Sequence, residues 1–217
     1  MEIFMDYNQF KNKFQNSPVI LSKEVIRQKG DYQNVHNQLN RWLKKGLIIK
    51  LKKGIYLLNK NDRRNNPGQI FLANQLYEPS YVSLEFALNF YGLIPERAVE
   101  VTSVSTKKTA RFSNEAGEYV YQHIKPEAFR GFRSVKDDNG FSSFIAEPEK
   151  AVVDFLYLNL RKFKAGESGV FAGSYRFQNV ESLKLKRVIN LSKLFNSRKL
   201  LKVSKTFCEW AKSEGQP

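Results

Sequence analysis

Cysteine occurs once in this 217-residue chain, at Cys208, and histidine only twice, at His36 and His123. One thiol excludes an internal disulfide, and so few soft ligands exclude a cysteine/histidine zinc site. A reducing compartment fits, and we expect a cytoplasmic protein. The longest apolar runs fall short of the roughly 18 residues a membrane-spanning helix needs, so no membrane partner is expected. The N-terminal MEIFMDYNQF has neither the basic region nor the apolar core of a secretory signal. The two histidines lie in different parts of the chain, which suggests no nucleophile–base triad. There is no GxG and no GxxxxGK[ST], hence no dinucleotide fingerprint and no phosphate loop. A metal-dependent nuclease is the enzyme class that best suits a basic chain, yet no Asp or Glu is followed two positions later by Lys. Asp137 with Asp138, and Glu147 with Glu149, read as turn and helix-start residues in preference to a Mg²⁺ site. We expect no catalytic residue, no metal site and no cofactor.

Acids are also missing where bases gather. From Tyr32 to Asn61 there is no Asp or Glu, while Arg41, Lys44, Lys45, Lys50, Lys52, Lys53 and Lys60 all occur. An ordinary solvated face mixes signs. The formal net charge is +15 and the pI about 9.8, which points to a polyanionic partner. That charge is unevenly spread: residues 1–66 carry +9, residues 67–160 carry −3 and residues 161–217 carry +9. The shift suggests a module boundary near residue 66.

Within the acid-free stretch Val35, Leu39, Trp42 and Leu43 fall on one helical stripe, and Gly46 follows as a stop. Opposite the stripe come Gln33, Asn37, Asn40, Arg41 and Lys44, flanked by Asn34 and His36. Amides and guanidinium groups read base edges, and cations hold phosphates. Gln33, Asn37 and Arg41 are the candidates for base contact. Leu47 to Leu51 and Ile55 to Leu58 then read as a hairpin with the doubly positive tip Lys52-Lys53-Gly54, and Lys44, Lys50, Lys52 and Lys53 are the phosphate candidates. Upstream, Tyr7, Phe10 and Phe14 mark a first helix ending before Ser17-Pro18, and Ser22 caps a short second one stopped by Gly30. Three helices and a two-stranded wing make a winged helix-turn-helix, expected over residues 1–62 and directed at double-stranded operator DNA.

Residues 59–68, NKNDRRNNPG, read as a linker. Beyond it a mixed α+β unit is expected over residues 67–217. Helices start near Gln69 and after Ser83, strands run over 99–106, 109–112, 118–124, 130–136 and 141–146, and a buried helix opens at Pro148. From about residue 180 the chain reads as a basic helical segment, with Lys184 to Lys205 among Leu191, Leu200, Val203, Phe207 and Trp210. Its positive face is either solvated surface or a second nucleic-acid contact. No coiled-coil seam is present to set an oligomeric state.

YVSLEFALNFYGLIPERAVEVTSVSTKK followed by IAEPEKAVVDFLYL resembles the AbiEi family of bacterial antitoxins, and the match covers most of residues 20–160. Tyr81, Ser83, Glu85, Ala87, Leu88 and Gly92 carry the first half of the likeness, and Glu147, Pro148, Glu149, Lys150 and Asp154 the second. The resemblance implies an N-terminal winged helix, repression of the protein's own operon, and action against a nucleotidyltransferase-like toxin. A protein-interaction module that binds the toxin directly is the alternative.

Overall fold

The computed structural model describes residues 5–29, 32–164 and 166–214. The chain is mixed α+β, with two sheets among the described residues. Helix α1 (Tyr7–Phe14) starts where the Asp6 carboxylate accepts a hydrogen bond from the Gln9 amide at 2.9 Å, satisfying an otherwise orphan donor of the first turn. Strand β1 (Ile20–Leu21) leads directly into α2 (Ser22–Lys29). Gly30, read from the sequence as the stop of that helix, lies outside the described residues, as does Asp31. In α3 (Tyr32–Lys44) Val35, Leu39 and Trp42 are buried, and Leu43 packs against the same cluster. Gly46 ends the helix with φ +67°, its amide bonding to Leu43 O at 3.0 Å while Leu47 N bonds to Trp42 O at 2.9 Å. This pairing satisfies two carbonyls the helix leaves open.

β2 (Ile48–Lys52) and β3 (Ile55–Leu58) form the expected antiparallel hairpin, and β1 pairs with the other side of β3 to give the order β1-β3-β2. Phe10, Phe14, Ile20, Leu39, Trp42 and Ile48 belong to the cluster under these elements. A second, larger cluster lies beneath the rest of the chain, and it takes in Leu51, Ile55 and Leu57 from the hairpin.

That larger unit begins with α4 (Gln69–Leu76), β4 (Ser80–Val82) and α5 (Leu84–Phe90). Strands β5 (Val101–Ser105), β6 (Ala110–Asn114), β7 (Gly117–His123), β8 (Phe132–Lys136) and β9 (Ser142–Ala146) follow, then α6 (Pro148–Leu158). The sheet order is β6-β7-β5-β4-β9-β8, with parallel pairs β4–β9 and β5–β7. Tyr81 pairs with Val104, and the neighbouring Ser103 pairs with Tyr121, so the two tyrosines point to opposite faces. The Tyr121 hydroxyl donates to Ala73 O at 2.6 Å and that of Tyr81 to Asp154 Oδ2 at 3.0 Å. Thus α4 covers one face and α6 the other.

After a short α7 (Gly169–Gly173), α8 (Leu185–Lys193) and α9 (Arg198–Glu214) pack on α6 and on each other. Val188, Leu191, Leu200, Val203, Phe207 and Trp210 are buried in the main core. The basic C-terminal segment is therefore a wall of that core and no loose tail. Residues 59–68 also depart from the expected linker. Arg64 N bonds to Gln15 O at 2.8 Å, Asn65 Nδ2 to Asn16 O at 2.9 Å, Asn139 Nδ2 to Asn66 O at 2.7 Å and Gly68 N to Asp137 Oδ2 at 3.0 Å. The side-chain amide of Asn65 and the backbone of Arg64 tie the strap to the N-terminal unit, and the backbone groups of Asn66 and Gly68 tie it to the larger one.

Candidate nucleic-acid interface

Helix α3 turns Gln33, Asn34, Asn37, Asn40, Arg41 and Lys44 to solvent and leaves His36 half-buried. Gln33 Nε2 donates to Asn37 Oδ1 at 3.3 Å, so two of the base-contact candidates one turn apart form a linked amide pair. Arg41 lies one further turn along the same face. Among the described residues no side-chain hydrogen bond or ion pair engages Arg41, Lys44, Lys50 or Lys53. Cations without an acidic partner keep their full charge for an external anion. Sequence reasoning passed over Tyr32, which is 56% exposed and sits with its ring centroid 4.3 Å from that of His36. The i, i+4 spacing of the two rings was the available signal.

The hairpin separates its lysines. Lys50 pairs with Tyr56 and Lys52 with Ile55, consecutive residues of β3 whose side chains leave the sheet on opposite faces. The pairing slips between them, at Leu51. Lys50 and Lys53 are exposed. Lys52 is half-buried instead: its ammonium donates to Leu76 O and lies 5.7 Å from the Phe112 ring centroid. Burial first, and then the charge of Lys107, holds Lys52 below the usual lysine range. The doubly positive tip read from the sequence is therefore presented outward by Lys53 alone. The bulge is the reason, because strict two-residue alternation would have kept Lys50 and Lys52 on one face.

No family model matches the chain, and no curated protein matches it either. Function has to be argued from the site.

A second constellation lies in the larger unit. Tyr81 and Ser83 both donate to Asp154 Oδ2, at 3.0 and 2.8 Å, and the Lys150 ammonium bonds to Asp154 Oδ1. The ammonium also sits 4.6 Å from the Phe195 ring centroid. Lys150 and Asp154 are fully buried, and burial raises the Asp154 pKa and lowers that of Lys150. Buried and with its polar groups partnered to one another, this network fastens β4 to α6. Ser83, expected to cap α5, stands at the cap position, but its hydroxyl is spent on Asp154. Among the described residues no group of three or more His, Cys, Asp or Glu is placed to hold a metal ion, and no helix is long and apolar enough to cross a membrane.

Proposed function

We propose that residues 1–62 form a winged helix-turn-helix that binds double-stranded operator DNA, with α3 in the major groove and the β2–β3 hairpin as the wing. The chain would then be a transcriptional autorepressor, acting by occlusion of its promoter, and the antitoxin of a type IV toxin–antitoxin pair. It works by binding, without catalysis or cofactor. The observation that carries this reading is the outer face of α3, where Gln33, Asn37, Arg41 and Lys44 stand exposed, together with the exposed hairpin lysines Lys50 and Lys53; among the described residues neither Arg41 nor any of these three lysines has an acidic partner. Such a face has base-reading groups flanked by phosphate-binding ones. The antitoxin part follows the resemblance of residues 81–92 and 147–154 to that family.

A gel shift with the protein's own promoter tests the reading. Arg41→Ala is expected to cost about 1–3 kcal/mol on the cognate fragment and little on unrelated DNA. Equal losses on both fragments would reduce Arg41 to a phosphate contact. Exposed Phe90 and Phe144, at 49% and 46%, favour a second reading, in which the larger unit also binds the toxin directly. Co-purification of the two gene products in the presence of nuclease supports it, and separate elution rejects it.

A further inference from the structure

The hairpin does not stand free of the larger unit. Its outer strand β2 is one edge of the three-stranded sheet, and it lies against β6, an edge of the six-stranded sheet. Leu51 has no Cα partner on β3, and its carbonyl accepts a hydrogen bond from Asn114 Nδ2 at 3.1 Å. The same Asn114 side chain accepts from Ala116 N at 2.8 Å through Oδ1, so its amide spans the β6–β7 turn and the slipped point of β2. This double duty needs a donor and an acceptor on one short side chain. One residue further on, the Lys52 ammonium meets the carbonyl of Leu76, the last residue of α4. Terminal carbonyls of a helix have no partner within it, and a cation there also complements the helix dipole. Beneath these contacts Leu51, Ile55 and Leu57 are part of the larger core.

We propose that Lys52 and Asn114 are positioning residues of the DNA-reading surface, which touch no DNA and set the angle of the hairpin by bolting it to α4 and β6. The proposal rests on the DNA-binding reading above. Lys52 is one of the four lysines that the sequence assigns to phosphate, but to reach one it must abandon both Leu76 O and the ring of Phe112. Lys50 and Lys53 bear no such ties and do the electrostatic work. A consequence is that the wing's attitude depends on groups in the larger unit.

The test compares Lys52→Met, Asn114→Ala and Lys53→Met with the wild-type full-length chain. Binding to a labelled promoter fragment is measured by fluorescence anisotropy across a salt series, and amide hydrogen exchange of residues 48–58 is followed without DNA. Asn114→Ala exchanges a neutral group for a neutral group, so any loss of affinity it causes cannot come from a missing charge. Lys52→Met and Asn114→Ala are each expected to speed exchange in the hairpin and weaken operator binding about fivefold, the order of one net hydrogen bond, with the salt slope unchanged. Lys53→Met should instead lower the slope by about one while leaving hairpin exchange as it was. A salt slope that falls in Lys52→Met as it does in Lys53→Met would overturn the proposal, because Lys52 would then hold a phosphate. Faster hairpin exchange with unaltered affinity overturns it too, as does unaltered exchange. If the wild-type chain ignores the fragment, the DNA-binding reading fails and the proposal with it, while the exchange data still report whether the hairpin is bolted.

Discussion

Asp62 accepts a hydrogen bond from the Tyr7 hydroxyl at 2.7 Å and an ion pair from Lys11 at 2.7 Å, so a residue of the strap holds two side chains of α1. The hydrogen bond from Lys11, and then that from Tyr7, keep the Asp62 carboxyl below its ordinary range. A depressed carboxyl contributes stability that is present above its unfolded value and is lost as pH falls through its folded one. Thermal melts on acidification should therefore show the wild type losing an increment that Asp62→Asn lacks from the start. Parallel curves for the two proteins would show that the tether has no thermodynamic role. At Asp154 the balance differs, because burial outweighs its partners. Lys150→Met leaves that carboxylate inside without its counter-charge and is expected to cost about 3–5 kcal/mol in chemical denaturation. The i, i+4 spacing of Lys150 and Asp154 was visible in the sequence. The hydroxyls of Tyr81 and Ser83 that complete the network come from a strand some seventy positions away, and no local pattern announces them.

At the scale of elements, periodicity served best where it was long. The stripe of α3, the hairpin and the five strands from β5 to β9 follow the pattern of their residues. β1 is only two residues, and β4 is three consecutive buried ones, so neither is long enough to show alternation. The amide and cation face of α3 was equally legible, since a helix fixes which residues share a side. The fate of Lys52 was not, because a bulge resets the alternation that the reading relied on. The end of α3 allows a clean measurement. A Cβ added at Gly46 meets nothing within 4 Å, so the cost of Gly46→Ala is that of its left-handed backbone alone. We expect about 1–2 kcal/mol by denaturant unfolding. A neutral substitution would mean that the Leu43 and Trp42 carbonyls are as well satisfied by water.

For the molecule as a whole, the distribution of charge says little about mechanics. The two hydrophobic clusters interleave along the hairpin, where Ile48, Tyr56 and Leu58 belong to one and Leu51, Ile55 and Leu57 to the other, and the strap between the units is hydrogen-bonded at both ends. Composition reports where polar residues are, and hydrogen bonds decide whether they are loose. The facing edges β2 and β6 carry a further consequence, for solubility. An uncovered strand edge is a template for pairing with another chain. The other two edges are guarded differently: β1 is too short to recruit a partner, and β8 presents Arg133 and Lys136. β2 and β6, which carry the exposed Lys50 and Arg111, are in addition set against each other, so that each covers the other's edge. A protein whose units were pried apart would therefore clump before it unfolded, with light scattering rising at temperatures where its helical signal is still intact.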